Sequence, residues 1–250
     1  MANGKDNKHF EAQGLEPLPE NLQMGARVYR TLLNGILTGQ FESGTQLRPD
    51  VIARALEVST TPVREAMHRL ENDGLTIKMP YQGWFVREFS SEQIQELYEV
   101  RAALECLGVR LACDRITEAD IEWLRNHQSV GEAALAVGDT EAYRIYNQDL
   151  HATILKAAKN SYLSSVMGQL RLQNEMLMIK TSRIAGRSLR AFEEHGRVIE
   201  LIAHRQVKAA EQLMQTHILD ALKDLIRTEG GRPANREHES PESALAAKNL

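Results

Sequence analysis

Four side chains suited to metal binding are spread over the second half of the sequence. Asn147 and His151 are four residues apart, which places both on one face of a helix. His195 and His217 follow, each in a different predicted helix. Imidazole nitrogens suit Zn, Ni, Cu or Fe, and three histidines with one amide oxygen leave coordination positions open. Spacing alone leaves two interpretations open, because histidines on helices are more often surface or core residues than metal ligands.

A second polar group lies in residues 59–69 and suits contact with nucleic acid. Hydroxyl and guanidinium groups near a helix N-terminus can bind phosphates and base edges. The residues predicted to make such contacts are Ser59, Thr60, Thr61, Arg64, His68 and Arg69, with Arg48, Gln82 and Gly83 on the flanking segments.

Two short helices joined by a tight turn would position this second group. The apolar stripe of the second helix consists of Val63, Ala66, Met67 and Leu70. A hydroxyl of Ser59 or Thr60 can cap this helix, and Gly74 can end it. Helices joined in this way form a helix-turn-helix, whose second helix is built to enter a DNA major groove.

Two strand-like runs, residues 75–79 and 83–87, follow this helix pair, with a turn at residues 80–83. A helix-turn-helix followed by a hairpin is a winged helix. The alternative is a helical hairpin packed on a β-ribbon without a role in DNA binding. The polar face of the second helix favours the winged helix.

The rest of the chain is helical by pattern, with predicted N-caps at Ser90 or Ser91, at Thr117 and at Thr140. The six predicted helices cover residues 91–114, 117–136, 139–158, 161–184, 189–203 and 206–228. No strand signal appears among them, so the sequence predicts a mainly α protein whose C-terminal half is an antiparallel helical bundle. The predicted organisation is a flexible arm (1–20), a winged helix-turn-helix domain (21–89), a helical domain (91–228) and a disordered tail (229–250).

Composition excludes several other classes of protein. No apolar run approaches the roughly 20 residues that span a bilayer, and no secretory signal is present, so a cytoplasmic protein is expected. Cys106 and Cys113 are seven residues apart on one predicted helix, about 10 Å, which is too far for a disulfide. The net charge is −4, and residues 1–88 hold ten Lys/Arg against eleven Asp/Glu. We therefore expect few phosphate contacts per subunit, with dimerisation adding affinity.

Residues 25–88 resemble the GntR family of bacterial transcription regulators. The motifs that carry the resemblance are Ile36-Leu-Thr-Gly39, Gly44-Thr-Gln-Leu47, Val58-Ser-Thr-Thr-Pro-Val-Arg-Glu-Ala-Met67, Leu70-Glu-Asn-Asp-Gly-Leu75 and Gly83. Two positions depart from the family pattern: Thr60 stands where the family usually has Arg, and Glu57 stands where it usually has Gly. Arg64 is therefore the best-supported DNA contact.

Residues 94–226 resemble the FCD ligand-sensing domain of the FadR subfamily, in its six-helix, VanR-like form. The motifs are Tyr98-Glu-Val-Arg-Ala-Ala-Leu-Glu105, Asn147-x-x-x-His151, Ala158-Lys-Asn160 and Glu194-His195, followed 22 residues later by His217. The resemblance implies a divalent metal held by Asn147, His151, His195 and His217. The family usually has Asp at the first of these positions.

An amide in place of this carboxylate leaves the metal charge unneutralised. We therefore expect Zn, with Ni as the alternative, rather than Mg or Mn. The same uncompensated charge should attract an anionic effector such as a carboxylate. Arg101 and Glu105 are spaced for an intrahelical salt bridge, and the resemblance instead turns Arg101 inward toward the effector.

The leading hypothesis is a homodimeric, metabolite-responsive repressor that binds an inverted-repeat DNA operator and is not an enzyme. Effector binding at the metal would change the angle between the two domains. One alternative is a metalloenzyme with an appended DNA-binding module, which lacks a well-placed general base beside the histidines. Another is a regulator with a purely structural metal and no effector.

Overall fold

Helices dominate the described part of the chain, residues 23–182 and 184–229 of a computed structural model. The first half contains α1 (Met24–Leu37), β1 (Gln46–Leu47), α2 (Pro49–Ala55), α3 (Thr60–Asn72), β2 (Thr76–Met79) and β3 (Gly83–Val86). The second half contains α4 (Ser91–Arg115), α5 (Glu118–Val137), α6 (Thr140–Ala157), α7 (Ser161–Ser182), α8 (Arg187–Ala203) and α9 (Val207–Glu229). The predicted mainly α fold class, a small winged helix followed by a helical bundle, is confirmed. The predicted arm 1–20 and almost all of the predicted tail lie outside the described residues.

The wing is a three-stranded antiparallel sheet in the order β1-β3-β2. Its two longer strands are the predicted hairpin, in which Ile77 pairs with Phe85. The two-residue strand β1 was not predicted, because a segment this short has no periodicity of its own. It forms through pairing of Leu47 with Trp84 in β3.

The turn between α2 and α3 lacks the capping hydrogen bond that the sequence predicted. Ser59 occupies the N-cap position of α3, but its side chain makes no capping hydrogen bond. Glu57, at the position where relatives usually have glycine, has a left-handed φ of 55°. The backbone therefore keeps the conformation that glycine would favour, and the glutamate Cβ is strained there. At the other end of α3, Gly74 has φ 73°, as its predicted role as helix terminator requires.

The helices of the second half begin close to their predicted residues. Ser90 and Gln93 form a capping box at α4, and Thr117 and Asp120 form one at α5. At α6 the predicted cap is wrong: Thr140 is already helical, and Asp139 Oδ1 accepts the backbone N–H groups of the first turn. A carboxylate at this position accepts both bonds and also favours the positive helix end.

The bundle is organised around α4, which packs against α6, α7, α8 and α9. Its buried face carries two charged side chains, Arg101 and Glu105, among apolar neighbours. The central helix therefore brings charge into the interior. Over the described residues, no helix is both long and apolar enough to cross a membrane.

Candidate functional site

Three histidines from three helices meet inside the bundle. His151 lies on α6, His195 on α8 and His217 on α9, and all three are buried. One nitrogen from each ring lies within 4.8 Å of the others. The bundle therefore brings together three of the four predicted ligands, which are up to 66 residues apart in the sequence.

The spacing of two of the ring nitrogens matches that of ligands to one metal ion. His195 Nε2 and His217 Nε2 are 3.3 Å apart, and His151 Nε2 is buried without a hydrogen-bond partner. With Zn–N bonds of about 2.1 Å, a separation of 3.3 Å corresponds to an N–Zn–N angle of about 100°, near the tetrahedral value. The three histidines therefore fit a divalent cation.

Two carboxylates, the buried Glu105 and the half-buried Glu194, orient two of these rings. Glu105 Oε2 lies 2.6 Å from His151 Nδ1, and Glu194 Oε2 lies 2.6 Å from His217 Nδ1. A carboxylate that accepts the Nδ1 proton leaves Nε2 with its lone pair free for a metal. From the sequence we expected no well-placed general base beside the histidines, and we did not anticipate that these two carboxylates would orient the rings. Glu194 and the adjacent His195 point in different directions, and α9 packs where Glu194 points.

Each carboxylate is also paired with an arginine. Arg101 Nε donates to Glu105 Oε1 at 2.9 Å, and both side chains are at most 5% exposed. Arg187 donates to Glu194 Oε2 at 3.1 Å and to the His217 carbonyl at 2.9 Å. Arg101 thus both forms the intrahelical salt bridge and points inward. Arg187 was not among the predicted site residues, since a lone arginine at a helix start has no pattern that singles it out.

The environment sets the protonation of this cluster. Burial opposes ionisation of Glu105, but His151 and Arg101 outweigh it and lower the pKa of that carboxyl well below its usual range. Burial lowers the pKa of His195 and of His217 well below 6.5, and the neighbouring imidazoles lower both further. These two imidazoles are therefore neutral at pH 7, the form that binds metals.

Other buried or half-buried polar groups lie on the same helices of the bundle and on α7. Asn147, one turn before His151 on α6, is half-buried, and its Nδ2 contacts Met178 Sδ of α7 at 3.9 Å. The hydroxyl of Tyr146 and the amide oxygen of Asn174 are buried without a hydrogen-bond partner among the described residues. Such atoms are costly unless a ligand or water satisfies them. Sequence reasoning missed Tyr146, because its spacing is that of an ordinary core residue.

The predicted DNA contacts lie on the other half of the molecule. Most of them are exposed along α3 and the wing, and Gly83 is half-buried at the start of β3. Three have partners that hold them: Arg48 pairs with Asp50, His68 contacts Glu71, and the Arg69 guanidinium lies 4.0 Å from the centre of the Tyr29 ring. The exposed residues are Arg48, Ser59, Thr60, Thr61, Arg64, His68, Arg69 and Gln82.

The two halves touch at the C-terminal end of α3. Within the winged helix, Tyr29 Oη of α1 donates to Asp73 Oδ2 at 2.5 Å and fixes this end of α3. The backbone of Gly74, the next residue, is covered by the α7 side chain Gln173, whose Nε2 would lie only 2.4 Å from a Cβ at position 74. Sequence reasoning did not anticipate this contact between the winged helix and the bundle.

Comparison with known proteins agrees with both halves of this architecture. The model of the bacterial regulatory proteins of the gntR family matches residues 24–86, and the FCD domain model matches residues 96–220. The helix-turn-helix transcriptional regulator YdhC of Bacillus subtilis (strain 168) is 28% identical over 204 residues, which is 81% of this chain and 89% of that protein. The gluconate operon transcriptional repressor of the same organism is 28% identical over 180 residues, 70% of this chain and 71% of that protein.

A solved structure shares the fold. The GntR transcriptional regulator from Rhodococcus sp. RHA1 superposes with a TM-score of 0.69 at 24% identity, covering 81% of this chain and 97% of that one. The chain belongs to the GntR family of regulators with an FCD domain, as the sequence motifs predicted. It is a DNA-binding transcription regulator rather than an enzyme.

Proposed function

We propose that this chain is a cytoplasmic, metabolite-responsive repressor that binds an inverted-repeat operator as a homodimer. A small anionic effector, a carboxylate, would bind at a zinc ion in the helical domain and control DNA affinity. The observation that carries the proposal is the convergence of His151, His195 and His217 inside a bundle that contacts a winged helix.

The DNA contact rests on local placement of charge, because the net charge is −4. Arg64 and Thr61 are exposed near the N-terminus of α3, where a helix offers free N–H groups to phosphate. Glu65 is exposed on the same helix and limits non-specific attraction. We propose that base readout centres on Arg64, and that Ser59, Thr60, His68, Arg69, Arg48 and the wing residues Gln82 and Gly83 complete the contact.

Charge balance favours an anionic effector. Arg101 and Arg187 cancel the charges of Glu105 and Glu194, and His195 and His217 are neutral. A bound divalent metal supplies two uncompensated positive charges and open positions for a carboxylate oxygen. Asn147 would add a neutral amide oxygen as the fourth protein ligand, and Arg101 would pair with the effector.

A purely structural metal is the second candidate. It predicts a fully coordinated ion and no bound effector. The buried and unpaired hydroxyl of Tyr146, whose ring centre lies 5.9 Å from that of His195, favours the effector, because a closed structural site leaves no ligand to satisfy it.

Elemental analysis before and after chelation, paired with a melting curve, tests the metal site. We expect about one Zn or Ni per chain, with loss of the metal in His217→Ala. His204→Ala, which changes an exposed histidine at the end of α8, is the matched control and should keep the metal. Absence of metal from every preparation, with a melting curve unchanged by added Zn, would contradict the sensor mechanism.

A second experiment tests the DNA and effector parts. Selection from random duplex DNA defines the operator, which we expect to be an inverted repeat bound by a dimer. A panel of carboxylates is then added to the zinc-loaded complex. Release of DNA by a carboxylate supports the proposal, whereas release only by neutral compounds contradicts the anionic effector.

A further inference from the structure

Helix α7 contacts both functional parts of the molecule through side chains close together in sequence. Gln173 covers the backbone of Gly74, at the end of the recognition helix α3. The next residue, Asn174, is 5% exposed and has a buried, unpaired amide oxygen. One turn further on, Met178 Sδ contacts Asn147, four residues before His151. Because a helix is stiff over this length, a displacement at Met178 also displaces Gln173.

Charged side chains attach this part of α7 to its neighbours. Glu175 is buried and accepts a hydrogen bond from Arg144 of α6 and another from Arg171 of α7, each at 2.9 Å. Arg171 also lies close enough to Tyr29 of α1 to act on its hydroxyl electrostatically. Helix α7 therefore contacts both α1 and α6, the helix that carries His151.

Gly74, the residue that Gln173 contacts, has little room to move. Gly74 has φ 73° and is buried, and it directly follows Asp73, which Tyr29 holds by a hydrogen bond. The Arg69 guanidinium lies over the same Tyr29 ring. A shift of Gln173 therefore acts on the C-terminal end of α3 and on the support of Arg69 together.

We propose that α7 transmits the state of the histidine site to the recognition helix, through Gln173 packed on Gly74. The inference rests on the proposed function, since it names the path by which a metal-linked signal reaches DNA. In this mechanism α7 has two alternative positions, and each is compatible with a different position of α3.

The test compares Gln173→Ala with Gln169→Ala, which removes an exposed glutamine one turn earlier on the same helix. Operator affinity is measured by fluorescence anisotropy on the full chain, with Zn²⁺ alone as the probe and with chelator. In the wild type we expect zinc to change the dissociation constant at least about 5-fold, the lower end of typical coupling between sites. Gln173→Ala should bring the ratio to within about 2-fold of one, and Gln169→Ala should keep the wild-type ratio.

Hydrogen exchange provides a readout that does not need DNA. Zinc should change exchange at residues 69–75 in the wild type and in Gln169→Ala but not in Gln173→Ala, while all three bind zinc equally. A Gln173→Ala protein that keeps the wild-type response overturns the role of α7 and leaves the proposed function intact. A wild type that binds zinc without any change at residues 69–75 also overturns the proposed path. Failure of every carboxylate to release DNA from the zinc-loaded complex overturns the proposed function instead, so the two failures are distinguishable.

Discussion

The two halves of this regulator differ in where their polar and charged side chains lie. The winged helix carries them mainly at its surface, whereas the bundle also buries a set of them. In the winged helix, the buried polar side chains among the described residues are Thr45 and Thr76, and the charged groups lie outside. In the bundle, the buried polar and charged set is Arg101, Glu105, His151, Asn174, Glu175, Thr181, Arg187, His195 and His217. The DNA-binding surface thus covers an apolar core, whereas the candidate metal site lies inside the core of the bundle.

This difference predicts how each half responds to mutation. A charged group on the surface loses little free energy of solvation on folding, so its removal affects binding more than folding. A charged group inside depends on its partner for compensation, so its removal affects both. The following experiments test this contrast, beginning with the largest expected effect.

Removal of Arg101 should destabilise the fold strongly. Arg101→Ala leaves Glu105 buried with one partner fewer, and we expect a loss of about 3–5 kcal/mol in the free energy of unfolding. Urea denaturation measures this loss. The matched control is Arg125→Ala, which breaks an ion pair with Glu200 whose side chains are about half exposed, and it should cost no more than about 1 kcal/mol. Equal losses in the two variants would contradict the contrast.

Acid should destabilise the metal-free protein below about pH 6.5. The pKa values of His195 and His217 are lowered in the fold, so the unfolded chain takes up protons that the folded chain does not. Stability is therefore complete above pH 6.5 and falls with pH, by up to about 1.4 kcal/mol per pH unit for each imidazole. Denaturation curves at pH 7.5, 6.5 and 5.5 measure the slope. His204→Gln should keep it, and a pH-independent wild type would refute the burial argument.

Loss of Arg64 should weaken DNA binding without affecting folding. Arg64→Ala should cost about 1–3 kcal/mol in operator binding and relax specificity at one position of each half-site. Lys208→Ala, at an exposed position on α9, is the control and should bind DNA as the wild type does. Anisotropy titrations together with a melting curve separate the two effects. Unchanged operator affinity in Arg64→Ala would remove the central contact from the proposed interface.

The smallest predicted effect concerns the turn of the helix-turn-helix. Glu57→Gly should stabilise the protein by about 0.5–1 kcal/mol, since glycine adopts the left-handed conformation without strain but loses more chain entropy. Glu57→Ala keeps the Cβ and should give no such gain. Thermal melting distinguishes the two variants, and an equal gain in both would mean that the side chain, not the backbone, is responsible.

Local features of the sequence were sufficient for most of the fold. The apolar stripe Val63, Ala66, Met67 and Leu70 predicted α3, and Gly74 predicted its end, because both signals depend on neighbours within one helical turn. The capping boxes at Ser90 and Thr117 were predictable for the same reason. The strand β1 and the cap at Asp139 were missed, since the first depends on a partner strand and the second on a choice between adjacent residues.

For the functional residues, as for the fold, local features were predictable from the sequence and contacts between distant residues were not. The sequence determined that Asn147 and His151 share a helical face, that residues 59–69 form a polar recognition helix, and that the family motifs are present. Only the tertiary structure placed Glu105 against His151, Glu194 and Arg187 against His217, and Gln173 against Gly74. These contacts join residues up to 99 positions apart in the sequence, and the direction of a side chain between packed helices depends on how the helices dock.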